Sequence, residues 1–357
     1  MNCLICNAPL NTQNSVIKLN QSVASDCTPV NLPAEILWCD ECGHYQKLVS
    51  AEYLRKVDDI YKNYQPYSLN QGKEQQNFSA SIPFTRCVKL IKNCFNYLKD
   101  KDVCNYLDIG TGSGAMLQAV ESEHQDWTKY AQDISDNNAD LLIDKYSLVD
   151  FYSSLSDVTL NFDVITLIHV LEHIEDVDGF LTELGGILSN SGIAIIQVPA
   201  IEENIWDFAI FDHISHFSRQ GLEALLSQYF DIVTFPEEQI AKEITVIVSN
   251  PRRKPRTYIR NNRADKHTEF NQKQGQIRSL ENVYVLGTGP AACFCASLLG
   301  SRLLGFLDED PDKIGKSLLC KKIFDANSNY LRPIYLPYPL EQIRQIKVRL
   351  PQHQLIY

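Results

Sequence analysis

The sequence predicts an α/β protein built around a doubly wound parallel sheet, with a small cysteine-bound module before it and a second, smaller α/β domain after it. Three observations carry that prediction. From about residue 103 to residue 250, short apolar runs alternate with helix-length amphipathic stretches, and strands separated by helices return to one sheet as parallel neighbours. A glycine-rich turn, Leu107-Asp-Ile-Gly-Thr-Gly-Ser-Gly114, falls where the first strand ends and the first helix starts. A second turn of the same kind, Gly287-Thr-Gly289, follows the run Val283-Tyr-Val-Leu286. At 357 residues the chain exceeds what one core usually serves, so several folding units are expected.

Composition narrows the function classes. With 44% hydrophobic and 22% charged residues there is apolar material enough for packed cores. A net charge of -11 opposes binding to a phosphate backbone, so no nucleic acid partner is expected. The first residues lack a basic segment followed by an apolar one, and no apolar run reaches membrane-spanning length. A cytoplasmic protein with no membrane partner is expected. In a large cytosolic chain, eleven cysteines point to metal ligation and buried thiols rather than disulfides.

Residues 1–50 carry Cys3 and Cys6 as one Cys-x-x-Cys pair and Cys39 and Cys42 as a second, with 32 residues between the pairs. Each pair places two thiolates on one edge of a tetrahedron, and folding brings the edges together around one Zn2+. Four sulfurs leave no open position, so the ion's role is structural; Cys27 and His44 are expected to be bystanders. Residues 51–102 hold a tyrosine-rich stretch, Ile60-Tyr-Lys-Asn-Tyr-Gln-Pro-Tyr-Ser68, then a helix with apolar positions at Ile82, Phe84, Val88, Ile91 and Phe95. Residues 103–250 supply seven strand candidates: 105–109, 129–133, 149–152, 163–168, 193–198, 232–235 and 244–248. Residues 251–280 open on the basic run Arg252-Arg-Lys-Pro-Arg256 and read as a solvated linker and polar helix. Residues 281–357 are expected to hold little more than two strand-and-helix units.

The glycines Gly110, Gly112 and Gly114 let the backbone approach a ligand closely. In a dinucleotide fold that ligand is a pyrophosphate on the helix N-terminus. Asp108 decides against it, because its charge would lie beside the phosphates, whereas it suits the amino acid portion of S-adenosylmethionine. Asp133 follows by 25 residues, at the carboxyl end of the second strand, where a carboxylate accepts the ribose hydroxyls. His169 opens His169-Val-Leu-Glu-His173 at the same sheet edge. It either lines the methyl-transfer pocket or bridges the next helix; Glu172 and His173 are expected to be structural. The adenine ring is expected near Phe151-Tyr-Ser-Ser154, with no side chain assigned.

Through Leu107–Gly114, Asp133, the His-Val-Leu-Glu-His element and Leu188-Ser-Asn-Ser-Gly-Ile-Ala-Ile-Ile-Gln-Val-Pro199, residues 103–250 resemble a Rossmann-like class I methyltransferase. With its flanks, the chain is similar over nearly its full length to the sugar C-methyltransferases, which join a zinc module, a donor domain and a C-terminal α/β domain. The resemblance implies methylation of a carbon beside the ketone of a nucleotide-linked deoxysugar, which needs a base and a group to hold the enolate oxygen. The family's Glu-His pair and Tyr-Phe-Ser ending match Phe211-Asp-His-Ile-Ser-His-Phe-Ser218. His213 is then the base and Asp212 its orienting neighbour, although aspartate replaces glutamate and His216 replaces the tyrosine. Tyr64 and Tyr67 resemble the family tyrosines that reach over the acceptor, with stacking in the core as the other reading. In the relatives the turn at Gly287 helps hold the nucleotide. Here it lacks the longer glycine-rich entry and the expected lysine, which implies an altered or lost handle. Two other functions stay open: an O- or N-methyltransferase on another carbohydrate or small metabolite, and a non-catalytic scaffold binding zinc and S-adenosylmethionine.

Overall fold

The computed structural model describes residues 1–13, 15–64, 69, 73–74, 76–77, 84–254 and 265–357. Tyr67 and Ile82 lie outside the described residues.

The central sheet has seven strands in the order Phe151–Tyr152, Thr128–Gln132, Asn105–Ile109, Phe162–Ile168, Leu188–Pro199, Glu243–Pro251, Phe230–Thr234. In sequence order this reads 3-2-1-4-5-7-6, and Glu243–Pro251 alone runs against its neighbours. Strands at the middle of such a sheet are covered on both faces and read as continuous apolar runs. Val164, Ile165, Thr166 and Leu167 are all fully enclosed. Each of the seven expected strands forms. Leu188–Pro199 starts earlier than its apolar run, while the third shrinks to Phe151–Tyr152.

Before the sheet, the expected helix starts only at Arg86, because Phe84–Thr85 is extended and pairs with Gln76–Asn77. The Glu74 carboxylate accepts the free N–H of Cys87 in the first turn, at 3.1 and 3.2 Å.

The N-terminal strands Ser15–Leu19, Ala34–Trp38 and Tyr45–Lys47 form an antiparallel sheet whose fourth strand, Ser215–His216, comes from the methyltransferase-like segment. Pairing of Ser215 with Gln46 and His216 with Tyr45 joins the two units by backbone. After the helix Lys266–Ser279, the C-terminal domain is larger than expected, with a six-stranded sheet ordered Ser317–Leu318, Lys321–Asp325, Leu303–Asp308, Val283–Leu286, Ile334–Tyr335, Leu355–Ile356. Prolines 333, 337 and 339 broke the pattern around Ile334–Tyr335, yet both strand residues are fully enclosed.

One apolar core runs through the N-terminal module, residues 201–214 and the C-terminal domain. Phe208 packs edge-on against both Tyr45 and Phe270, with ring centroids 4.9 and 5.5 Å apart. Enclosing such a ring contributes about 1.5–3 kcal/mol. The flanking units are thereby clamped over one end of the central sheet. Among the described residues, no helix is long and apolar enough to cross a membrane.

Candidate active site

A cavity of about 450 Å³ opens at the carboxyl ends of the central strands, bordered by Asp108, Gly110, Gly112, Asp133, Ser154 and His169. The turn that shapes it depends on glycine. Gly110 has φ +70°, and a Cβ there would meet Val170 Cγ2 at 2.4 Å. The N–H of Gly112 donates to Asp133 Oδ2 at 2.7 Å and that of Ser135 to Oδ1 at 3.0 Å, so Asp133 holds the turn as well as facing the cavity. Gly114 does not border the cavity. It caps the helix Ala115–Glu123 with φ +82°, and a Cβ there would strike Leu142. Asp108 is enclosed and accepts a hydrogen bond from Thr166 Oγ1 at 2.7 Å. Burial outweighs its hydrogen bonds and raises its pKa to about 7.

A second cavity, of about 330 Å³, adjoins the first, and Tyr64, Arg86, His169 and His173 border both. His169 therefore stands at the seam, and it bridges as well: Nδ1 lies 3.1 Å from Glu172 Oε1 and Nε2 lies 3.0 Å from Glu243 Oε2. Burial alone would lower its pKa, but the two carboxylates raise it to about 9, making it an imidazolium. His169 has φ +58°, a left-handed conformation that histidine adopts more readily than most residues and that turns the ring toward both carboxylates.

His213 borders the second cavity and is almost wholly enclosed. Its partner is not Asp212. Nδ1 of His213 lies 2.6 Å from Asp207 Oδ1, and Asp207 Oδ2 lies 2.5 Å from His216 Nδ1. Asp207 also borders the cavity. Burial opposes a charge on His213, but Asp207 outweighs it and raises the pKa. Asp212 instead accepts from Ser25 N at 2.8 Å and Ser25 Oγ at 2.5 Å. Neighbouring side chains on an open stretch of chain point different ways, while the 3-10 turn Ile205–Ala209 carries Asp207 back against His213.

His173, expected to be structural, sits edge-on to His213 with ring centroids 4.6 Å apart. Its Nδ1 lies 2.8 Å from the Asp212 carbonyl and 2.8 Å from Tyr61 Oη. A carbonyl only accepts, so Nδ1 bears the proton and Nε2 is bare. Burial and the nearby His213 lower the His173 pKa and keep the ring neutral. Donor atoms of Glu172, His173 and His213 lie within 4.8 Å of one another, as a metal site requires. The Glu172 carboxylate, however, already faces the His169 imidazolium, so the cluster is balanced without a cation.

None of the four predicted cysteines borders either cavity, and the four converge. Cys3 Sγ lies 3.5 Å from Cys42 Sγ, Cys6 Sγ lies 3.6 Å from Cys39 Sγ, and all four sulfurs fall within 4.8 Å of one another. The edge of a tetrahedron with metal–sulfur bonds of about 2.3 Å is about 3.8 Å, so the set fits a four-thiolate zinc site. None of the eleven cysteines is in a disulfide. His44 packs against Phe217 apart from the sulfurs, and Cys27 borders the second cavity. At that cavity's far end stands the lysine not foreseen from the glycine turn: Lys313 Nζ reaches Thr288 Oγ1 at 3.1 Å and Asp308 Oδ2 at 3.3 Å.

Residues 80–232 match a family model described as a methyltransferase domain. Among solved structures, the chain is similar to a coclaurine N-methyltransferase bound to N-methylheliamine and SAH, at 11% identity over 53% of this chain and 67% of that one, with a TM-score of 0.38. It is similar to the CurJ carbon methyltransferase at 12% identity over 45% and 53%, TM-score 0.37. An O-methyltransferase family protein from Burkholderia thailandensis gives 14% over 45% and 56%, TM-score 0.36. The chain thus spans about half to two thirds of the length of these proteins, and nothing about its acceptor follows from them. No curated protein matches it. The matched family model, the strand order and the glycine turn give the central domain the Rossmann-like α/β fold of a class I methyltransferase domain.

Proposed function

We propose that the protein transfers the methyl group of S-adenosylmethionine to the carbon beside the ketone of a nucleotide-linked keto-deoxysugar, with a structural zinc in its N-terminal module. The observation that carries this reading is the His213–Asp207 pair on the wall of a cavity that adjoins the donor cavity. With Nδ1 committed to Asp207, Nε2 of His213 takes the acceptor's α-proton, leaving an enolate. A donor held at Asp108, Gly110, Gly112 and Asp133 would supply its sulfonium methyl as the electrophile, so that a carbon–carbon bond to the enolate carbon would form as the carbon–sulfur bond breaks and S-adenosylhomocysteine leaves. Tyr64, whose hydroxyl oxygen lies 3.1 Å from Ser25 Oγ, would hold the enolate oxygen at the seam between the cavities. Thr288, Gly289 and Lys313 supply a polar end for the nucleotide side.

The same pair would deprotonate a hydroxyl or amine, which keeps O- or N-methylation as a second reading. Transfer of labelled methyl to a panel of nucleotide-linked keto-sugars, with the position read by NMR, tests the first. Label on a ring carbon, with base-dependent exchange of the α-proton in deuterated solvent, supports it. Label on oxygen or nitrogen without exchange overturns it in favour of the second.

Two donor-site results are expected. Gly110→Ala places a Cβ against Val170 at a positive φ, and donor affinity measured by calorimetry should fall about tenfold or more. Asp108 should make binding depend on pH. Below about 7 its carboxyl is neutral, and above that value it is ionised and attracts the cationic amino acid end of the donor. Affinity should therefore rise several-fold as pH increases through about 7, and Asp108→Asn should flatten the profile. The same raised pKa means that the donor-free fold loses stability as pH climbs from the ordinary carboxylate range to about 7, since there the unfolded chain binds fewer protons than the folded one.

A further inference from the structure

We infer that Lys47, His216 and Asp207 form a buried relay that fixes the tautomer of His213, making the N-terminal module a working part of the active site. The inference rests on the reading of His213 as the base, and Lys47 in it is a positioning residue that touches neither donor nor acceptor.

Lys47 is 0% exposed, and an ammonium so enclosed is costly unless each of its protons finds an acceptor. Nζ has three neighbours: the carbonyls of Phe208 at 3.1 Å and Ile210 at 2.9 Å, and Nε2 of His216 at 3.3 Å. Burial lowers the Lys47 pKa to about 7 against the pull of Asp207 and Asp212; carbonyls only accept, so Lys47 in its protonated form satisfies all three when His216 presents a bare Nε2. The His216 proton then resides on Nδ1 and is donated to Asp207 Oδ2 at 2.5 Å. The other oxygen of Asp207 accepts from His213 Nδ1 at 2.6 Å, which leaves His213 Nε2 bare, as a base requires. Four enclosed side chains thus carry one consistent set of protons.

Without the ammonium the order is no longer forced. His216 would be able to take a second proton, becoming an imidazolium that neutralises Asp207 and weakens its hold on His213. The other titratable groups facing this set are Glu172, His173 and Asp212 around His213, Asp212 near Lys47, and His44 near His216. None of them supplies a hydrogen bond to Nε2 of His216 among the described residues. Lys47 ends the strand Tyr45–Lys47, and His216 lies on the strand paired with it, so register delivers both halves of the contact.

The test uses the full chain labelled with ¹⁵N-histidine, together with Lys47→Met, which keeps the side chain's length and removes its charge. Long-range proton–nitrogen correlations, followed as pH rises until each ring carries a single proton, should show Nδ1–H and bare Nε2 for both His213 and His216 in the wild type. In Lys47→Met, His216 should gain a proton at Nε2. Turnover should fall about tenfold while KM and donor affinity stay within about twofold, a split that lost packing alone would not give. A neutral wild-type His213 that carries its one proton on Nε2 overturns the relay. So does a folded Lys47→Met protein with unchanged histidine signals and turnover. The wild-type spectrum decides the matter even if the variant fails to fold. It needs no acceptor, so a wrong acceptor class and a wrong relay give different results.

Discussion

His213→Ala is expected to lower the rate of methyl transfer by about 10²–10⁴-fold, the usual contribution of a positioned general base, while donor affinity stays within about twofold. The separation follows from placement, because His213 borders only the proposed acceptor cavity and the proposed donor cavity is shaped by the turn at Gly110–Gly112 and by Asp133. Exchange of the acceptor's α-proton in deuterated solvent should disappear with it, even when no donor is present. Asp207→Asn should lose a comparable amount, since an amide cannot accept from two imidazoles as the carboxylate does. Asp212→Asn should lose much less, because Asp212 braces Ser25 rather than the base. Single-turnover transfer of labelled methyl, with calorimetry for the donor, measures all three. Unchanged turnover in His213→Ala would remove it as the base. A larger loss in Asp212→Asn than in Asp207→Asn would restore the neighbour as the orienting group.

That Asp207 was not read from the sequence has a physical cause. The proposed donor half of the site is local: strand, glycine turn and helix follow one another, and Asp133 sits one strand further on, so spacing alone brings Asp108, Gly110, Gly112 and Asp133 to one cavity. The proposed acceptor half is assembled from distant segments, with Ser25, Tyr64, His173, Asp207, His213 and Thr288 meeting at one cavity only in the fold. A signal for Asp207 did exist. It is the one charged residue in Ile205-Trp-Asp-Phe-Ala-Ile-Phe211, a run apolar enough to be enclosed, and an enclosed carboxylate demands a partner. Lys47, between Tyr45 and Val49, carried a weaker form of the same signal. The extent of the C-terminal domain was hidden differently, since three prolines flank Ile334–Tyr335 and proline argues against a central strand.

Removing the proposed zinc should abolish methyl transfer, with donor affinity falling by far less. A structural zinc site contributes about 10–16 kcal/mol of apparent binding energy, as much as the whole stability of a typical domain. Chelation, or Cys39→Ser, should therefore unfold the N-terminal module. The proposed acceptor site depends on that module at three points: Ser25 braces Asp212, Tyr45–Lys47 pairs with Ser215–His216, and Lys47 bonds the carbonyls of Phe208 and Ile210 on either side of Ala209. The donor turn has its own support, from Gln132 and Asp133 within the central sheet. Metal analysis should find one zinc per chain, and a chain isolated without metal in an active, folded state would refute the site. Because four sulfurs leave no position for substrate, the identity of the ion should matter little so long as it accepts tetrahedral thiolates. Cobalt(II) added to the refolding chain should restore transfer and give the thiolate-to-metal absorption of a four-sulfur site. Cobalt bound with that absorption but without restored transfer would mean that the ion does more than hold the module in place.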